Sequence, residues 1–159
     1  MDGYNPVSYH VGSVWPHDNA IIAAGLTRYG FVEEAQRVIV AMLEAAAYFG
    51  GRLPELFGGL GREEVPFPVT YPSSCAPQAW SAASPLLFLR SILRLDPWIP
   101  HNKVWLDPIL PKEIGRLCVS RIPLAGRRVT VEVDHDSVYV EGMGPEIQVV
   151  QSPREPFTA

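Results

Sequence analysis

The chain has 159 residues, 47% hydrophobic and 19% charged, which is enough to bury a core and too ordinary a composition for a disordered segment. Its formal net charge is −4 and no run of Lys and Arg exceeds Arg127-Arg128, so the electrostatic footprint of nucleic-acid binding is absent and no nucleic-acid partner is expected. The longest apolar stretch, from Val38 to Phe49, is broken by Glu44 and falls short of the roughly 20 residues that cross a bilayer, so no membrane partner is expected either.

The opening residues, Met1-Asp2-Gly3-Tyr4-Asn5-Pro6, have neither the basic head nor the apolar middle of a signal peptide. Cys75 and Cys118 stand in unrelated contexts without metal-ligand spacing. Together these features point to the cytoplasm, with both thiols reduced.

Residues 1 to 16 read as an ordered loop rich in Gly, Pro, Asn and Ser. Asp18 stands where a helix can start, and Ile22, Gly25 and Tyr29 follow at helical spacing, which predicts a first helix over 18–29 with Gly30 as its stop. Phe31 opens a second helix, in which Val32, Ala35, Ile39, Met42, Ala46 and Phe49 share one stripe until Gly50-Gly51 ends it. Residues 50 to 77 carry repeated Gly and Pro and predict a long irregular connection, the kind of loop that is often functional. Ser73 or Ser74 is placed to cap a third helix that takes Pro77 into its first turn, passes Pro85 and reaches about Leu95. That helix is apolar on most sides, so Leu86, Leu87, Phe88, Leu89, Ile92 and Leu93 are expected to expose an apolar face.

After Asp96 the period falls from 3.6 to 2. Val129, Val131 and Val133 alternate with polar residues, Asp134-His135-Asp136 reads as a turn, and Val138 and Val140 resume the alternation, which predicts a β-hairpin. Leu117 to Ile122 and Ile147 to Val150 read as further strands of a small antiparallel unit, and the tail from Ser152 as frayed.

Three stretches combine aromatic, imidazole, carboxylate and amide groups in turns next to helices. They are Gly12-Ser13-Val14-Trp15-Pro16-His17-Asp18-Asn19-Ala20, Leu53-Pro54-Glu55-Leu56-Phe57-Gly58-Gly59 and Tyr71-Pro72-Ser73-Ser74-Cys75-Ala76-Pro77-Gln78-Ala79-Trp80, the first and third most specific from Trp15 and from Cys75 onward. In this order they resemble the C-terminal part of the six-hairpin glycosidases, closest to the amylo-α-1,6-glucosidase (glycogen-debranching-like) and mannosylglycerate-hydrolase-like branch. The resemblance spans roughly residues 4 to 141. It implies a mainly α fold, a partial α/α toroid in which residues 1–100 supply C-terminal hairpins, 101–151 a small antiparallel β unit and 152–159 a tail.

The resemblance also implies a function, hydrolysis of an α-glucosidic bond with inversion, on a glycogen-like substrate or a small glucoside. Inversion needs one carboxylic acid to protonate the leaving oxygen and one carboxylate to activate water. The position of Glu55 resembles that of the family's general base; read from the residues alone, a solvated loop glutamate is the better reading. Asp18 is the rival carboxylate, and its other reading is a first-turn residue favoured by the helix dipole. Tyr9, His10, Trp15, His17, Asp18, Asn19, Tyr71, Gln78 and Trp80 supply the hydrogen-bonding groups and flat faces that a sugar needs, each aromatic being also an ordinary core residue.

His10, His17 and Asp18 match no compact ligand motif, so no metal is assigned, and no cofactor is implied. Cys75 has no base-orienting pattern around it and is not read as a nucleophile. Enzymes of the resembled family are several times longer, and their general acid comes from an earlier hairpin. The expectation is therefore a fragment that is inactive alone, or else a non-catalytic carbohydrate-binding or assembly subunit that completes a split toroid with a separate N-terminal chain. A degraded gene product without a stable fold is the third reading.

Overall fold

The structure, a computed structural model, describes residues 3–155. In chain order these form helices α1 (Pro16–Arg28), α2 (Val32–Tyr48) and α3 (Ala79–Leu93), then strands β1 (Asp96–Trp98), β2 (Lys103–Trp105), β3 (Arg116–Leu124), β4 (Arg127–Asp134), β5 (Val138–Glu141) and β6 (Gln148–Val150). The chain divides into two compact units, Met1–Gly25 with Glu33–Phe88, and Leu26–Val32 with Leu89–Ala159.

In the first unit, the Trp15 carbonyl accepts the first helical bond of α1 from Asn19 N at 3.1 Å. Pro16 then occupies the first helical position, where its missing N–H costs nothing, so α1 begins two residues before the expected Asp18. α2 buries Ala35, Ile39, Met42 and Ala45, the predicted stripe with Ala45 in place of Ala46. It stops at Gly50, whose φ of 67° closes a paired cap: Gly50 N bonds Ala47 O and Gly51 N bonds Ala46 O. Residues 52–78 are irregular but pinned, with isolated bridges from Phe57 to Val14 on one side and to Thr70 on the other.

The start of α3 differs from expectation. Gln78 caps it, its Oε1 accepting from Ser81 N at 2.8 Å, so Pro77 lies ahead of the helix. Ser74 instead spends its hydroxyl on Leu56, receiving from Leu56 N at 3.2 Å and donating to Leu56 O at 3.0 Å. The expected apolar face is also reduced: Leu86 is 69% exposed, but Phe88, Ile92 and Leu93 are buried. Ser81 and Ser84 are also buried, their hydroxyls bonded to the carbonyls of Pro54 and Trp80.

The second unit holds two three-stranded sheets, ordered β1-β2-β6 and β3-β4-β5. The β3–β4 hairpin closes through Ala125 and Gly126, both at positive φ (49° and 73°), the type I′ geometry whose twist matches the strands. β4 and β5 are joined through the expected turn, where Asp134 Oδ1 accepts from Asp136 N, Ser137 N and Ser137 Oγ at 2.7–3.0 Å. Val129, Val131 and Val133 of β4 are all buried. In the other sheet β2 pairs antiparallel with β1 and parallel with β6, so the unit is not purely antiparallel. Arg154 lies over the rings of Trp98 and Trp105 and bonds Asp96 at 3.3 Å, which docks the tail expected to fray from Ser152 as far as Glu155; residues 156–159 lie outside the described part.

The fold is therefore not the mainly α, six-hairpin partial toroid that the resemblance implied. It is a mixed fold of three helices and two small sheets among the described residues. The physical reason is the period change at Asp96, after which every regular element except a short 3-10 turn is a strand, and the long irregular stretch that separates α2 from α3.

Candidate functional site

The candidate site lies wholly in the first unit, where three chain segments meet edge to edge. Val14 and Phe57 exchange two backbone bonds of 2.8 and 3.1 Å, and Glu55 N donates to Cys75 O at 2.9 Å. This fixes the Glu55 backbone between the loop before α1 and the loop before α3.

The Glu55 carboxylate is held at both oxygens. Oε1 accepts from the Tyr9 hydroxyl at 2.8 Å, and Oε2 accepts from the Cys75 backbone N–H at 3.1 Å. The Cys75 amide first, and then the Tyr9 hydroxyl, hold its pKa below the ordinary 4.5, with smaller favourable influences from the Cys75 thiol and His17. The same bond raises the pKa of Tyr9 above 10.0. A carboxylate has about four lone-pair sites, so two fixed donors leave room for a water or a hydroxyl.

Tyr9 is also the hub of a series of rings. Trp15 lies edge-on to it at 4.9 Å and Tyr71 at 5.7 Å, while Trp15 Nε1 donates to Tyr9 O at 3.2 Å. His10 lies edge-on to Tyr9 at 4.7 Å and stacks on Trp15 at 5.8 Å. Trp15 leads to His17 at 5.7 Å, and His17 to Trp80 at 5.1 Å. His17 Nε2 stands 3.5 Å from Asp18 Oδ1, and its Nδ1 is buried without a partner among the described residues.

Seven of the ten candidate residues, Tyr9, His10, Trp15, His17, Glu55, Tyr71 and Trp80, are thus brought together, and Asp18 is attached through His17. Asn19 turns back to donate to Trp15 O at 2.9 Å, and the Gln78 carbonyl is spent on the α3 cap. Sequence reasoning missed the part of Cys75, whose backbone amide grips Glu55. No sequence signal marks that, since any residue except proline supplies the same N–H. Among the described residues, no group of three or more His, Cys, Asp and Glu is placed to hold a metal ion, and no helix is long and apolar enough to cross a membrane.

Residues 98–150 match the family described as glycosyl hydrolase family 65, C-terminal domain. Over that third of its length the chain is similar to part of a glycoside hydrolase; the match is to this family's C-terminal domain and not to the amylo-α-1,6-glucosidase branch. The matched span falls in the second unit, so the Glu55 cluster lies outside it. No curated protein matches the chain.

Proposed function

We propose that the chain is part of a glycoside hydrolase acting on α-glucosidic bonds, of glycogen-debranching type or on small glucosides, with Glu55 as the carboxylate that activates water. The observation that carries this reading is the Glu55 carboxylate, kept ionised by Tyr9 and Cys75 among aromatic side chains. The glycoside hydrolase match at 98–150 supports the class, and the string from Trp15 to Ala20 supports the amylo-α-1,6-glucosidase-like branch.

In this reading Glu55 takes a proton from a water that attacks the anomeric carbon from the face opposite the leaving oxygen, which inverts the centre. A carboxylic acid on the other side, about 6.5–9.5 Å away, gives its proton to the leaving oxygen. Trp80 and Tyr71 offer faces for pyranose rings, and His17, Asp18, Asn19, His10 and Gln78 offer hydroxyl contacts, with Trp15 and Tyr9 behind them. The general acid comes from outside this chain, so the chain alone binds sugar without turning it over. Residues 101–151 form an appended β unit, a division that the span of the family match supports, and the setting is cytoplasmic.

In a longer protein that contains this chain, Glu55→Gln lowers kcat about a hundredfold to ten-thousandfold and leaves sugar binding nearly unchanged, because the amide keeps the shape but takes no proton. Undiminished hydrolysis would remove Glu55 from the mechanism and move the role to Asp18. A second reading, a non-catalytic carbohydrate-binding or assembly subunit with a separate partner chain, is favoured by the exposed Ile21, Ile22, Trp80 and Leu86, each at least 54% exposed. Sugar binding by the chain that persists when no partner restores hydrolysis would select it.

A further inference from the structure

A second concavity in the first unit lies between α2 and the loop 57–68, with a volume of about 410 Å³. That falls within the roughly 300–1,000 Å³ of small-molecule clefts. Its buried lining is Met42, Ala45 and Phe57. Its exposed lining is Tyr48 and Phe67, stacked 8° from parallel, and the ion pair of Glu44 with Arg62 at 2.7 Å. The floor is thus apolar, one wall is a flat aromatic pair, and the mouth carries both a hydrogen-bond acceptor and several donors. None of the candidate residues around Glu55 lines it.

The opening has room because α2 contributes the short side chains of Ala41 and Ala45 between Met42, Glu44 and Tyr48, and because the loop is fixed at a distance. Gly58 N donates to Val69 O and Gly59 N to Pro6 O, each at 2.8 Å, and the Tyr4 hydroxyl donates to Gly59 O. Gly59 sits so close to the Gly12 carbonyl that a β-carbon there would collide with it. Val65 N donates to Gly61 O at 3.0 Å and closes the far turn. A wall held at this many points stays apart from α2 without a ligand, so binding spends little free energy on ordering it.

We propose that this cleft binds a neutral amphipathic small molecule, with a flat apolar ring on the floor and against the Tyr48–Phe67 pair and a hydroxyl-rich head at Glu44 and Arg62. The flat wall selects a ring. The neutral head follows from charge: Glu44 and Arg62 cancel one another, so a net anion or cation gains nothing at the mouth, while hydroxyls find an acceptor and donors side by side. An aryl glycoside has this construction. The site is independent of the Glu55 reading and stands or falls without it.

The test is a titration of the 159-residue chain with 4-nitrophenyl α-glucoside, followed by backbone amide shifts, with glucose and 4-nitrophenyl sulfate as comparators. The expected result is saturable binding with shifts on 41–48 and 58–67, and at least tenfold weaker binding of both comparators. Tyr48→Ala, at an exposed position, weakens the binding read at 41–48 and 58–67 at least tenfold, and Ala41→Phe fills the cleft and abolishes the shifts there. Absence of saturable binding by the folded chain overturns the proposal. So do shifts confined to Tyr9, Glu55 and Trp80, equal affinity for the sulfate, or full affinity in the Tyr48→Ala protein.

Discussion

Each oxygen of Glu55 has one fixed donor, the Tyr9 hydroxyl on Oε1 and the Cys75 amide on Oε2, and the first can be removed by a side-chain substitution that leaves the backbone as it is. Tyr9→Phe deletes that donor while keeping the ring against Trp15 and Tyr71. Glu55 should then titrate closer to its ordinary 4.5, which a carboxyl-carbon NMR titration reads directly. An unchanged titration would show that the Tyr9 bond does not hold the charge. Glu132, bonded by Arg116 at 2.5 Å, and Asp134, bonded by the turn amides, are lowered in the same sense. With all three depressed on folding, the native state binds fewer protons than the unfolded chain. Their contribution is therefore complete above the ordinary carboxylate range and is lost as pH falls below about 4.5 and through the lowered native values. Urea midpoints should be level from pH 7 to 5 and drop at pH 3; a midpoint that rises at pH 3 contradicts this.

At the scale of elements, the turns concentrate the backbone cost. Ala125 sits at φ 49° in the β3–β4 hairpin, where an alanine is strained by about 1 kcal/mol and an asparagine is tolerated. Ala125→Asn should therefore stabilise the chain by about 1 kcal/mol, seen as a higher urea midpoint with the same slope. Gln78→Ala acts in the other direction. It leaves the Ser81 amide without its cap at the start of α3 and should cost about 1 kcal/mol. No loss in that variant would mean that water replaces the side chain at no cost.

For the molecule as a whole, two features stand out, each within its own unit. In the second, Asp96 receives Arg28 at 3.1 Å, Arg90 at 3.4 Å and Arg154 at 3.3 Å, and Arg154 also covers two tryptophans. Arg154→Ala should lower stability by about 1–2 kcal/mol, mostly through the lost cation–π packing, and should quench or shift Trp fluorescence. In the first, Ile21, Ile22, Trp80 and Leu86 remain in water. The chain is expected to bind a hydrophobic dye or to self-associate, and Leu86→Glu to reduce either. A dye-silent monomer by sedimentation would count against a missing partner.

The sequence by itself determined what depends on neighbours in the chain: the helical stripe of Ala35, Ile39 and Met42, the glycine stops, the switch to strands after Asp96 and the turn at Asp134. Those are short-range matters of period and backbone freedom, and they are written within a few residues. The aromatic and carboxylate groups near Glu55 were also legible as types. What only the tertiary structure decided is which of them touch. The grip on Glu55 comes from residues 46 and 20 positions away, and one of the two donors is a backbone amide that carries no sequence mark. The same holds for the parallel pairing of β2 with β6 and for Arg154 on its tryptophans, contacts between segments whose local patterns carry no trace of each other. The toroid was read from motif strings, and strings in loops constrain the helices around them only weakly; the number and pairing of elements is settled by how the whole chain buries its apolar faces.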